Sequence, residues 1–220
     1  MAISYLDNLF NKGNYEYLNP SQNTYGNLEL ADYPTTQVVT TAELKSQLRI
    51  DTSAEDTLLG TYISAATQMA EHYCNRHFIT AKYKLWFNKL PSKFSLYYPD
   101  CKFNFSGGNA DGLYYLAASG TTYTLFANTN WFCNNNSNPN TVTLHDTPTA
   151  IDTDDLDGTN DQLYYFQFQT GIGDAASDVP DAIKQAIKLI ASDMYYFRED
   201  RKRAFPMASE ILLQPYKCYL

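Results

Sequence analysis

The hydrophobic pattern of this chain changes period twice, and any fold must reconcile the two changes. From Thr40 to Phe78, and again from Asp178 to about Tyr216, apolar residues recur every three or four positions, the spacing of a helix face. Between residues 79 and 173 they alternate in short runs separated by turn residues, the spacing of half-buried strands. The chain therefore reads as helices, a β region, then helices again.

The helical segments carry their own start signals. In "TTAELKSQLRI", Thr40 and Glu43 have capping-box spacing, and Leu44 and Leu48 make one stripe. In "DTSAEDTLLGTYISAATQMAEHYCNRHF", Thr52 or Ser53 is the expected cap, with Glu55 and Asp56 complementing the dipole of the first turn. Leu59, Tyr62, Ile63, Ala66, Met69, Ala70 and Tyr73 form one face, and small Ala66 and Ala70 admit a close helix neighbour. Farther on, Asp178 is the expected cap and Pro180 suits the first turn of a helix whose stripe is Ile183, Ala186, Ile187, Ile190 and Met194. A last short helix is expected between Pro206 and Pro215.

Seven runs between them read as strands: "AKYKLWFNKL", "KFSLYYP", "CKFNF", "LYYLAA", "TTYTLFA", "TVTLH" and "QLYYFQFQT". Clusters such as "SGGNADG" and "NNNSNPN" separate them, as hairpin turns do. The fold class expected is α+β: mainly a helical bundle of two N-terminal and two C-terminal helices, with an inserted antiparallel β-hairpin region. Residues 1–38 read as an extended arm with a short helical turn near Tyr5–Asn11. Residues 39–78 and 174–217 read as the bundle, 79–173 as the β-rich insert and 218–220 as a tail.

Composition narrows the function. The 19 Tyr and 12 Phe, with only 18% charged residues, hint at extended contact surfaces. A net charge of −8 argues against a phosphate-gripping protein, and "RKR" at 201–203 reads as a solvated helix end. Cys74, Cys101, Cys133 and Cys218 form no CxxC and read as free thiols. The N-terminus has no basic start followed by an apolar run, so no secretory signal is expected. No window approaches a membrane span, so no membrane partner is expected.

Chemistry-bearing motifs are weak. His72, Cys74 and His77 resemble a metal triplet, but on a helix they point at roughly 0°, 200° and 140°. "DTDDLDGTND" (152–161) has partial likeness to a calcium loop, but Thr153 and Tyr164 stand where Asp and a bidentate Glu are needed. "GIGDAASD" lies between strand and helix, where anions bind, but Asp174 and Asp178 would repel phosphate. No GxSxG elbow occurs. The expectation is no catalytic residue, no metal and no cofactor: not an enzyme.

Two stretches carry a resemblance. "TTAELKSQLRIDTSAEDTLLGTYISAATQMAEHYCNRHF" resembles the opening of the tailed-bacteriophage head–tail connector (adaptor) family. "YYFQFQTGIGDAASDVPDAIKQAIKLIASDMYYFRED" is similar to its last strand, turn and closing helix, and "ASEILLQPYK" to its terminal motif. The likeness covers about residues 40–217. The first 38 residues, the Asn-rich loops and the extra strands depart from the compact family pattern.

The resemblance implies a structural virion protein. It would form a homo-oligomeric ring, usually twelvefold, under the portal, connecting capsid to tail and extending the DNA channel. Genomic DNA would pass without specific binding, and an acidic ring suits that. Its partners would be the portal protein and tail-side or neck proteins. Its place would be the head–tail junction of the virion, after assembly in the host bacterial cytoplasm. Ile211, Leu212, Leu213, Tyr216 and Tyr219 are the portal-contact candidates, and deleting residues 206–220 is expected to leave a folded protein. Leu59, Ile63, Ala66, Ile183, Ile187 and Ile190 are the expected bundle core. The loops "NNNSNPN" and "DTDDLDGTND" face either the channel or the tail. A second reading, a β-rich accessory virion module binding glycan or a host surface, draws on the Tyr runs, Trp131 and the Asn-rich loops. It leaves the flanking helices unexplained.

Overall fold

Helix α1 (Thr41–Leu48) starts at the Thr40 capping box. The Glu43 N–H donates to the Thr40 hydroxyl at 3.2 Å, and the Thr40 N–H donates to the Glu43 carboxylate at 2.7 Å. Two otherwise unpaired backbone donors are satisfied, and these bonds hold the Glu43 carboxyl below the usual carboxylate range. The structure, a computed structural model, describes residues 27–87, 89–96, 98–106, 110–117, 122–136, 139–148, 163–198 and 207–218.

Helix α2 (Asp56–Cys74) has Glu55 at its N-cap, not Thr52 or Ser53, and no side chain caps it. The Glu55 carboxylate is engaged across the bundle instead, accepting from the Tyr195 hydroxyl at 2.6 Å and from Arg198 at 3.0 Å. Helix α3 (Asp181–Tyr196) follows Pro180 at its N-cap. Asp178 caps the turn before it, accepting the N–H groups of Asp174 and Ala175 at 3.1 and 3.0 Å. Helix α4 (Met207–Leu213) runs into a 3-10 turn at Gln214–Tyr216. Helix α2 packs on α3, α3 on α4, and α1 against both α2 and α3. Their shared core is mainly aliphatic, and fully buried Ala66 and Ala70 on α2 let α3 approach closely.

Among the described residues nine strands form two antiparallel sheets. They are β1 (Leu28–Asp32), β2 (Ala81–Phe87), β3 (Lys93–Leu96), β4 (Cys101–Lys102), β5 (Gly112–Leu116), β6 (Tyr123–Leu125), β7 (Trp131–Asn134), β8 (Asn140–Leu144) and β9 (Tyr164–Thr170). The larger sheet has the order β1-β2-β9-β5-β6, with β4 also on β9, and the smaller the order β3-β8-β7. Strand β2 pairs with β9 from Ala81 opposite Thr170 to Phe87 opposite Tyr164. The two sheets close on one aromatic core: Phe94 lies 4.9 Å from Phe87 and 5.2 Å from Phe166, and Trp131 5.1 Å from Phe166, between ring centroids. On the other face of β9, Tyr165 stacks on Tyr114 at 4.6 Å and tilts against Trp86 at 4.8 Å. Burial on both sides pushes the Tyr165 hydroxyl pKa well up.

This corrects the expected fold class. The protein is α+β, but it is not mainly a bundle of two N-terminal and two C-terminal helices carrying an inserted hairpin region. Half-buried hairpins cannot stand alone, and here they pair into two sheets with a core of their own. Nor is the larger sheet confined to the insert: β1, from the polar segment read as an arm, supplies its edge and pairs Leu28 with Leu85 and Leu30 with Tyr83. Strand β7 was likewise not expected. The short helical turn near Tyr5–Asn11 lies outside the described residues, as do the loop 152–161 and "RKR".

Helices and sheets meet where two chain segments run side by side. Residues 77–80, leaving α2, and 171–174, leaving β9, pair through a parallel bridge between Ile79 and Gly173. The Thr80 N–H donates to the Gly173 carbonyl at 2.9 Å and the Ile172 N–H to the His77 carbonyl at 3.3 Å. Gly171 makes the approach possible. Its φ is +147°, and a Cβ there would stand 2.7 Å from the Thr80 Cα. Gly171→Ala is therefore expected to destabilise the protein by about 2 kcal/mol or more, read as a lower urea midpoint.

Candidate docking surface

The residues that looked chemical in the sequence are distributed by the fold into packing roles. His72 is exposed at the end of α2, whereas Cys74 and His77 are buried. No group of three or more metal-ligating side chains forms among the described residues. His77 joins a different constellation. Its Nε2 lies 2.7 Å from the Tyr83 hydroxyl and its Nδ1 3.3 Å from Glu71 Oε2, while Glu71 Oε1 accepts the Phe78 N–H at 2.8 Å. Tyr83 stacks on Tyr98 at 4.6 Å. His77, Tyr83 and Glu71 are only 3%, 3% and 9% exposed. This chain runs from α2 into strand β2 of the larger sheet, and its geometry fixes the junction. Asp178, in the turn read as a possible anion site, spends its carboxylate on backbone N–H groups, as described above.

The expected bundle-core residues Leu59, Ile63, Ala66, Ile183, Ile187 and Ile190 are all buried in the helical core. The portal-contact candidates divide. Ile211 is 63% exposed. Leu213 is fully buried, and Leu212 and Tyr216 are half-buried against the same core. Tyr219 lies outside the described residues. Leu213 thus cannot present its side chain while α4 is docked, which corrects its place among the contact residues. Sequence reasoning missed Met207, 60% exposed one turn before Ile211, and Tyr196 and Phe197, 64% and 53% exposed at the end of α3. The i, i+4 spacing of Met207 and Ile211 was the available signal. An outward apolar stripe of this kind is what a docking surface requires.

The segment after α4 is tied down at the end of α2. The Cys218 N–H donates to the Cys74 carbonyl at 2.8 Å, and Asn75 Nδ2 donates to the Cys218 carbonyl at 3.0 Å. Arg76 Nη1 donates to the Tyr216 carbonyl at 3.4 Å, and the Lys217 ammonium sits 4.6 Å from the centre of the Tyr73 ring. The segment therefore completes the C-terminal cap of α2. Deleting residues 206–220 would open the core at Leu213 and unpair this end, so the expectation that the remainder stays folded is withdrawn.

The protein thus holds its helices against its sheets and presents an apolar stripe from its last helix. A family model described as phage gp6-like head-tail connector protein matches residues 39–97, from the α1 cap through β3. The chain is also similar to one in the neck of a native gene transfer agent (GTA) particle computed with C12 symmetry. The two share 18% identity over 88% of this chain and 96% of that chain, with a TM-score of 0.61. The neck of an empty GTA particle computed with C6 symmetry gives 19% identity, the same coverage and a TM-score of 0.59. The virion of the native GTA particle gives 20% identity and a TM-score of 0.58. At these identities the likeness is one of fold. No curated protein matches the chain. The resemblance to the head–tail connector family is borne out in residues 39–97 by the family model, and the neck structures share the fold.

The division of the last helices yields a paired prediction. Leu213→Ala is expected to cost about 2–5 kcal/mol. Met207→Asp with Ile211→Asp is expected to change stability by less than about 0.5 kcal/mol each, as surface substitutions do. Urea unfolding of both variants checks this, and equal losses would place the outward stripe in the core.

Proposed function

We propose that this protein is a structural adaptor of the head–tail neck of a phage-like particle. Copies assemble side by side into a ring, twelvefold in the simplest case, beneath the portal. The ring prolongs the channel through which genomic DNA passes, without binding that DNA specifically. We read residues 39–78 and 174–217 as the portal-side helical unit and the β-rich part as the side that meets tail or neck components. The docked last helices present Ile211, with Met207 beside it, to the portal. The role is mechanical, without catalysis or cofactor, at the head–tail junction of a virion assembled in the host cytoplasm.

One observation carries this reading: the family-model match at residues 39–97 and the neck-protein fold over 88% of the chain coincide in one molecule. The twelvefold order is supported by the C12 symmetry with which a similar neck was computed. The net charge of −8 suits a wall that DNA slides past.

Cryo-electron microscopy of the protein mixed with the portal of its own virus tests the proposal. The expected image is a closed ring stacked on the portal, with α4 at the contact. Met207→Asp with Ile211→Asp is expected to abolish the stacking while leaving the chain folded. Portal without density from this protein, at micromolar concentration and moderate salt, would overturn the adaptor reading.

A further inference from the structure

We propose that Cys74 and Cys218 form a disulfide-exchange site that, on reaction with a small disulfide of the glutathione class, staples the C-terminal segment to the end of α2. All four cysteines are free thiols. What distinguishes this pair is its backbone. The Cys218 N–H donates to the Cys74 carbonyl at 2.8 Å, and Asn75 and Arg76 donate to the carbonyls of Cys218 and Tyr216. That bond puts the two backbones in direct contact, and a disulfide spans Cα separations of roughly 4.4–6.8 Å. Both thiols now point at carbonyls, Cys74 Sγ 3.8 Å from that of Leu213 and Cys218 Sγ 3.9 Å from that of Tyr216. Closing the bond requires both side chains to turn about χ1 from these carbonyls toward each other.

The two residues divide the chemistry. Cys218 is half-buried and reachable, whereas Cys74 is fully buried. The Cys218 thiolate attacks one sulfur of the oxidised glutathione. The glutathione S–S bond breaks, one glutathione leaves as its thiolate, and a mixed disulfide stands on Cys218. The Cys74 thiolate then attacks the Cys218 sulfur, the protein disulfide forms, and the second glutathione leaves. Two protein thiols are oxidised, one glutathione disulfide is reduced to two thiols, and the protons lost by the cysteines pass to the leaving groups. Burial pushes the Cys74 thiol up to about 12, so the second step is the slow one and quickens with pH. Cys101 and Cys133 sit on β4 and β7, in different sheets that share one core.

The test uses the full chain, titrated with oxidised glutathione, trapped by alkylation and mapped by peptide mass. The expected product is a single intramolecular link between the Cys74 and Cys218 peptides. It should come with a higher thermal midpoint that a thiol reductant reverses and that Cys218→Ser abolishes. Persistent glutathione on Cys218 with Cys74 still alkylated would overturn the proposal. So would a link through Cys101 or Cys133, or four thiols left free. The readout involves no portal, so it stands or falls apart from the adaptor reading.

Discussion

The structure depends on the place where two backbone segments cross together between the helical core and the sheets. A chain that leaves a bundle and returns to it could do so through two independent linkers, and the two parts would then move freely. Here the outgoing residues after α2 and the returning residues after β9 hydrogen-bond to each other, at a distance only a glycine permits. Glu71, His77 and Tyr83 brace the same crossing from within, with Lys102 donating to the Ile172 carbonyl and Arg76 paired with Asp100 at its edge. Buried polar groups of this kind are costly unless paired. Their presence at the junction, where they link two cores, makes the helices and sheets one mechanical body.

The cores themselves differ in kind. The helical one is mostly Leu, Ile, Val and Ala, whose size suits close helix packing, whereas Phe, Tyr and Trp make up half of the sheet one, beside Leu and Val. The abundance of Tyr therefore has a first explanation that is internal. Tyr83 and Tyr98 sit in the sheet core, and Tyr165 with Tyr114, Tyr123 and Trp86 covers the outer face of the central strand. An aromatic surface laid over a sheet by its own side chains needs no partner to account for it. That weakens the case for a glycan-binding module, which drew on the same residues.

The C-terminal segment shows how one short element can serve two ends. Leu213 and Ser209 face inward and Met207 and Ile211 outward, so α4 both closes the helical core and presents an apolar stripe. The 3-10 turn and strap that follow lend backbone groups and a cation to the C-terminal end of α2. Anything that engages the outward stripe therefore meets a surface held in place from behind, with little ordering cost left at the moment of contact.

What could be read from the chain and what could not divide along the range of the forces involved. The capping box at Thr40 and Glu43, the stripe from Leu59 to Ala70, the Ile183–Ile190 face and the alternating runs of β2 and β9 are set by residues within a few positions of one another, and the sequence determined them. The N-cap of α2 escaped because Glu55 is held by Tyr195 and Arg198, far along the chain. Strand β1 escaped because its reason for being a strand is the free edge of β2, and Leu213 was misassigned because only the packed bundle decides which side of α4 is covered. Periodicity and capping are local, so a sequence carries them openly. Strand partners, covered faces and the crossing at Gly171 are contacts between distant segments, and only the tertiary structure could decide them.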